Sequence, residues 1–184
     1  AVNYMKLIDE SAKRLNGILS DISNIGLMKQ SAMAAQTINV QKLINETLTS
    51  LQHNPEYTNV KITIDVESGC EVKVPEKLLA SVIQNLIENS VKYRKLGAQD
   101  AFTEIKAWSE TDKVYITVSD NGVGIQSSVM PKIFDMFFRG TTLSKGTGLG
   151  LYIVKNAIEK MKGKIDVTSK EGKGSRFKIV LPKK

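Results

Sequence analysis

Three polar side chains within "QNLIENSVKYRK" are spaced to act together. At about 100° per residue, Asn85, Asn89 and Lys92 fall within roughly a 60° arc of a helix, with Tyr93 just beyond it. An amide oxygen is a hard, neutral ligand suited to Mg²⁺, and a lysine one turn on can meet a phosphate. On the same wheel Leu79, Val82, Ile83, Leu86 and Ile87 centre about 100° or more away, so the asparagines stand on the shoulder of the buried stripe, where a pocket wall would be. Asparagine is a mediocre helix former. Taken alone, the arc reads first as a solvated helix face.

A second constellation is "DNGVGI", Asp120 to Ile125. Asp120 shares strand parity with Val114, Ile116 and Val118, so its carboxylate points to the buried side. A buried charge needs a partner. Adenine offers a donor in its exocyclic amino group, whereas guanine presents an acceptor oxygen there and would be repelled. Gly122 and Gly124 would let the backbone turn and approach a flat base closely. The plain alternative is an Asp-Asn-Gly turn.

In "IFDMFFRG", Phe134, Phe137 and Phe138 cluster beside Arg139 and precede "GTTLSKG". This reads either as an ordinary loop or as a hydrophobic latch at the base of a mobile lid, with Arg139 and Lys145 able to reach phosphates. "SKGTGLGLYIVKNAIEK" follows, with Gly146, Gly148 and Gly150 at alternate positions. It supplies neither the G-x-x-x-x-G-K-[ST] of a phosphate loop nor the G-x-G-x-x-G of a dinucleotide turn. What remains is a helix N-terminus whose free amides and dipole suit an anion.

These residues need a scaffold. "TINV" is a short strand candidate, and "VQKLINETLTSLQ" a helix with Leu43, Ile44, Thr47, Leu48 and Leu51 on one face. "NVKITIDV" alternates as a half-buried strand, and "EVKV" is another before Pro75, which suits the first turn of a helix over 75–95. "FTEIKAWSE" and "KVYITVSD" are strands joined by a Thr-Asp turn. A helix from about Gly148 to Met161 precedes "KIDVTS" and "SRFKIVL", a hairpin around "KEGKG". Strands mostly in hairpins with helices inserted predict an α+β fold, a two-layer sandwich of a mixed sheet with helices on one face.

Before it, Ile8, Ser11, Ala12, Leu15, Ile18, Leu19, Ile22 and Ile25 repeat close to every 3.5 residues, a long helical seam that wants partner helices. The alternative is a helix packed on its own domain. Pattern is lost after Met28, so the expected units are residues 1–32 and 36–184, with a linker between. The chain opens at Ala1 inside this helix, which suggests a piece of a longer protein and leaves room for a membrane anchor upstream. No apolar run in the 184 residues approaches the roughly 18 to 20 needed to span a bilayer. The net charge of +7 suits an anionic ligand or acidic partner, but Lys and Arg are dispersed, so nucleic-acid binding is not expected. Cys70 is the only cysteine, which excludes an internal disulfide and a thiolate metal site and fits a cytoplasmic setting.

In order and spacing these motifs closely resemble the catalytic domain of two-component sensor histidine kinases, of the Bergerat ATP-binding fold. "NLIENSVKY" looks like the N box, "DNGVGI" the first glycine box, "IFDMFFRG" the F box and "GTGLGL" the second glycine box, within a likeness covering Ile38 to Leu181. The preceding helix resembles the second helix of the family's dimerisation hairpin. The resemblance implies ATP and Mg²⁺ as cofactors and transfer of the γ-phosphoryl group to a histidine nitrogen. It implies Asn89 as the Mg²⁺ ligand, Asn85 and Lys92 at the phosphates, Tyr93 on the adenine, and Asp120 reading the adenine amino group. Gly122, Gly124 and Ile125 would shape the adenine pocket. Arg139 would lie near the terminal phosphate, and Lys145, Gly146, Thr147, Gly148, Leu149 and Gly150 would flank the triphosphate. Asn85, Lys92 and Arg139 form the implied catalytic set. A homodimer through the N-terminal helix and a response-regulator receiver domain are the implied partners.

ATP-hydrolysing relatives of the fold carry a glutamate at the place of Asn85, and an amide cannot serve as a general base. Asn85 therefore argues for a kinase over an ATPase, and Glu88, about 300° round the helix, should not substitute. The family's phosphoacceptor histidine lies in the first dimerisation helix, and this chain begins after it. The sole histidine, His53, sits in "LQHNPEY" and reads as a loop residue. Nucleotide binding without self-phosphorylation is the expectation for this chain alone, the other possibility being a nucleotide-binding interaction module.

Overall fold

A computed structural model describes residues 4–5, 8, 11–12, 15, 17–19, 22–23, 25–26, 33–51, 57, 59–95, 97–140 and 147–184. His53, Lys145, Gly146, the boundary at residue 32 and most of the tract expected to form a lid lie outside the described residues. Every described residue from Tyr4 to Gly26 is helical, and Ile8, Leu15, Leu19 and Ile22 on the expected seam are exposed.

The rest runs β1 (Gln36–Asn39), α1 (Val40–Leu51), β2 (Lys61–Val66), β3 (Glu71–Val74), α2 (Glu76–Lys92), β4 (Phe102–Glu110), β5 (Lys113–Asp120), a 3₁₀ turn (Met130–Lys132), α3 (Gly150–Lys160), β6 (Lys164–Lys170) and β7 (Gly174–Pro182). The main sheet has the order β2-β4-β5-β7-β6, with β2 parallel to β4 and the other neighbours antiparallel. β1 and β3 pair antiparallel in a separate small sheet. The mixed sheet and inserted helices match the expected α+β sandwich.

Alternation makes the two layers. Ile105 and Ala107 of β4, Val114, Ile116 and Val118 of β5, and Phe177, Ile179 and Leu181 of β7 share one face, and all are buried. They join one core with Leu79, Ile83, Leu86 and Ile87 of α2 and Val154, Ala157 and Ile158 of α3. On the opposite face Trp108 and Tyr115 stack at 5.2 Å, with the Lys178 ammonium over the Tyr115 ring. Within the core, Thr103 and Ser90 are joined by a 2.7 Å hydrogen bond, which ties α2 to β4.

Helix boundaries differ from expectation at three points. Pro75 is the N-cap in extended conformation (φ −65°, ψ 114°), one position before the first turn. At its other end α2 stops at Lys92, because Tyr93 leaves helical geometry. α3 starts at Gly150, two residues later than expected, because Gly148 takes a left-handed φ of +76° that no helix continues through.

Candidate functional site

The site forms where the strand ends meet α2. Asp120 closes β5 directly opposite Thr103 of β4 and Ser175 of β7, and Ser175 in turn faces Ser169 of β6. This polar row edges the apolar face. The Gly122 amide donates to Asp120 Oδ1 at 2.8 Å, and the Ser175 backbone amide also donates to the carboxylate. Burial nevertheless pushes the Asp120 carboxyl above the ordinary carboxylate range, against those two bonds. A carboxylate has roughly four lone-pair sites, so these two bonds leave it acceptor capacity.

The loop after Asp120 is held from both sides. The Val123 amide donates to the Tyr93 carbonyl at 2.9 Å, and the Gly172 amide donates to the Val123 carbonyl at 2.7 Å. A Cβ at Gly122 would lie 2.4 Å from the Tyr93 carbonyl oxygen. Gly124, at φ +69°, leaves no room at all, since its Cβ would meet the Lys170 carbonyl oxygen at 2.1 Å. The Ile125 amide donates to Ser169 Oγ, and Gln126 Nε2 donates to Glu171. The β6–β7 turn is thus a strap across the glycine loop. Asn121 faces away from the loop, its amide taking the Phe102 N–H and donating to the Asp100 carbonyl.

Between loop, strap and α2 lies a cleft of about 230 Å³. Ile125, Val129, Ile133, Phe138, Leu151 and Phe177 give it apolar walls, and Asn89, Tyr93, Asp120, Arg139 and Ser175 bring polar groups to the same space. An apolar slot with a few convergent polar groups suits a small planar ligand carrying a charged end. A wider groove of about 940 Å³ beside Lys61, Arg94 and Phe102 gathers none of the motif residues, so size alone does not locate the chemistry.

Along α2 the two asparagines differ. Asn85 Nδ2 donates to the Ser81 carbonyl at 2.9 Å, and its Oδ1 would lie 2.8 Å from a Cβ at Gly150. Asn89 Nδ2 is shielded from solvent and has no hydrogen-bond partner among the described residues, a condition shared by Ser81 Oγ. A buried amide without a partner costs about 1–3 kcal/mol, which a ligand would relieve. Lys92 lies outside the cleft lining, its ammonium 4.7 Å from the centre of the Tyr93 ring.

Gly148 packs on the backbone of Phe137, where a Cβ would come within 2.7 Å of the Phe137 carbonyl carbon. The Leu149 amide donates to Thr147 Oγ1, and the Leu149 side chain is core. The aromatic cluster is split. Phe138 lines the cleft, but Phe137, at φ +64°, turns outward and is 63% exposed. A left-handed backbone at a bulky residue reverses where its side chain points.

Of the expected residues, Asn89, Tyr93, Asp120, Gly124, Ile125 and Arg139 line the cleft together. Asn85 and Gly150 stand at the α2–α3 contact, Gly148 packs on Phe137, and Gly122 supports Asp120 from behind. Sequence reasoning missed Ser169, Ser175, Phe177 and Gly174, whose Cβ would fall 1.9 Å from the Asp120 carbonyl oxygen. Their signal was present only as a hairpin turn, because the contact that makes them matter joins segments about fifty residues apart in sequence.

Among the described residues no group of three His, Cys, Asp or Glu could hold a metal. Asn89 can offer a neutral amide oxygen, a donor type that suits a hard cation such as Mg²⁺. Among the described residues no side chain caps the α3 N-terminus, and free helix amides with the helix dipole suit an anion.

Residues 74–184 match the family model described as histidine kinase-, DNA gyrase B- and HSP90-like ATPase. The sensor protein RprX of Bacteroides fragilis is 31% identical over 96% of the chain and 35% of its own length. The sensor histidine kinase ZraS of Salmonella typhimurium is 33% identical over 96% of the chain and 37% of its own length. The catalytic domain of the histidine kinase ThkA, in a nucleotide-free form, superposes with a TM-score of 0.71 at 26% identity, over 82% of the chain and 97% of that domain. The chain spans about a third of the length of these curated relatives. The sandwich is that of the Bergerat ATP-binding fold. The chain belongs to the family of histidine kinase-, DNA gyrase B- and HSP90-like ATPases.

Proposed function

We propose that this chain is the ATP-binding catalytic part of a sensor histidine kinase, acting on a histidine of a dimerisation helix outside the sequence and feeding a response-regulator receiver domain. The observation that carries it is the pairing in one cleft of an under-partnered carboxylate, Asp120, with an orphaned buried amide, Asn89. Asp120 accepts from the exocyclic amine of adenine, Ile125 and Phe177 bound the base, and Tyr93 packs beside it. Asn89 meets the phosphates and Mg²⁺, with Asn85, Lys92 and Arg139 in reach of the triphosphate, and Gly148 and Gly150 letting the α3 N-terminus approach it. By their place at the second glycine-box motif, Lys145, Gly146, Thr147 and Leu149 are assigned to the same triphosphate-binding set. The cation, when bound, neutralises charge on the phosphate oxygens.

In the transfer, a histidine ring nitrogen forms a bond to the γ-phosphorus as the bond to the β,γ-bridging oxygen breaks, and ADP leaves. This chain contributes positioning and charge, and no general base is required of it. Two features support a kinase over hydrolysis. Asn85 is an amide, and Glu88 accepts a hydrogen bond from Gln84 on α2 and does not line the cleft. Dimerisation through the N-terminal helix belongs to the same proposal, and its exposed Ile8, Leu15, Leu19 and Ile22 support it. A cytoplasmic location fits ATP as substrate.

The test mixes the chain with an intact dimerisation hairpin and γ-labelled MgATP. Acid-labile, base-stable label on the hairpin is the expected product. Free phosphate alone would favour an ATPase, and neither product with no nucleotide bound would sink both enzyme readings.

A further inference from the structure

The polar row at the strand ends has a defined proton order. Ser169 Oγ lies 2.8 Å from the Gly174 carbonyl oxygen, 2.9 Å from the Ile125 amide and 2.9 Å from Ser175 Oγ. A carbonyl can only accept and an amide N–H can only donate. Ser169 has one proton, and all three contacts are satisfied only if that proton goes to Gly174. The Ser169–Ser175 bond must then be donated by Ser175. With its proton committed to the strap, Ser175 has only lone pairs left for the cleft it lines beside Asp120.

We infer that Ser169, which does not line the cleft, is a positioning residue for base selection: it holds the Ser175 hydroxyl as an acceptor, so that the base end of the cleft offers acceptors from both Asp120 and Ser175. The inference rests on the nucleotide reading above and deepens it. Two acceptors suit a ligand with two donor hydrogens on one nitrogen, the exocyclic amine of a 6-aminopurine. A 6-oxopurine meets lone pairs with lone pairs at both positions. A Ser175 hydroxyl free to rotate could donate to that oxygen and would blunt the choice. Discrimination by a site built to receive hydrogen bonds is steep because the wrong ligand leaves buried groups unpaired.

The test is calorimetric titration of the chain with MgADP and with MgIDP, which exchanges the amine for an oxygen. The wild type is expected to prefer ADP, and Ser169→Ala to narrow the ADP/IDP affinity ratio by about tenfold, the worth of one hydrogen bond. Ser169→Thr, which keeps the hydroxyl, should restore the wild-type ratio. Ser175→Ala should narrow the ratio likewise, and the double alanine variant no further. Equal weakening of both nucleotides by Ser169→Ala, with the ratio unmoved, would overturn the inference while leaving nucleotide binding intact. Absence of any purine nucleotide binding by the wild type would overturn both. Should Ser169→Ala not fold, the wild type with N6-methyl-ADP decides: weaker binding than ADP is expected because one donor is lost, and equal binding contradicts a second acceptor.

Discussion

Gly150, the first residue of α3, meets α2 so closely that a Cβ on it would lie 2.8 Å from Asn85 Oδ1. The neighbour is the end of a side chain and not backbone, so Gly150→Ala can be accommodated if the Asn85 amide swings away and gives up its bond to the Ser81 carbonyl. The fold should lose little, since alanine favours helix by about 1 kcal/mol. MgATP affinity should fall by about tenfold because Asn85 is displaced. Thermal unfolding and nucleotide titration of the same variant separate the two effects.

Asp120 links stability to pH in a defined direction. Its folded-state pKa is raised by burial, so the folded chain binds this proton more tightly than the unfolded chain. The stability it contributes is fully present below the ordinary carboxylate pKa and is lost as pH rises through the folded value. Asp120→Asn removes that loss. It should unfold at a higher temperature than the wild type at neutral pH, with the advantage vanishing as pH falls through the carboxylate range. Its affinity for MgATP should drop on the order of a hundredfold, as a charge-assisted hydrogen bond is lost. Melting curves between acid and neutral pH, with nucleotide titrations at neutral pH, check both.

The strap makes three glycines unequal. Gly172 has φ +74°, and among the described residues nothing lies within 4 Å of an added Cβ, so Gly172→Ala should cost only the left-handed penalty, about 1–2 kcal/mol. Gly124→Ala and Gly174→Ala add overlap with backbone carbonyls of Lys170 and Asp120, and should cost roughly 3 kcal/mol or more each. Denaturant unfolding of the three variants should show that order.

Ser90 and Thr103 offer a cleaner case of the cost of an unpaired group. Ser90 donates to the Ile87 carbonyl, so its bond to Thr103 is donated by Thr103. Ser90→Ala strands the Thr103 hydroxyl in the core and should destabilise by about 1–3 kcal/mol, whereas Ser90→Ala with Thr103→Val should recover most of it. Equilibrium unfolding of the single and double variants measures the difference.

What was legible in the sequence was local. The arc of Asn85 and Asn89 needs only 100° per residue, and the inward parity of Asp120 needs only a period of two, so both survive in the fold. The strap was not legible, because Gly124 meets Lys170 and Ser169 meets Ile125 through a register that no local pattern encodes. Asn121 reads as part of a glycine motif but serves the 100–102 segment. Phe137 reads, with Phe134 and Phe138, as part of a hydrophobic latch or an ordinary loop, and at a left-handed φ it stands outward instead of joining Phe138 in the cleft. The late start of α3 has a similar origin in Gly148.

The central claim is that the Asp120–Asn89 cleft holds MgATP, and a titration followed by amide resonances reads both ends at once. With MgATP added, the Asn89 side-chain NH₂, which has no partner among the described residues, and the Gly122 backbone N–H should shift saturably with one shared dissociation constant. Asp120→Asn should abolish that shared transition at the same nucleotide concentrations. If nucleotide leaves both resonances unmoved, or moves residues around Lys61 and Arg94 instead, the assignment of this cleft is contradicted.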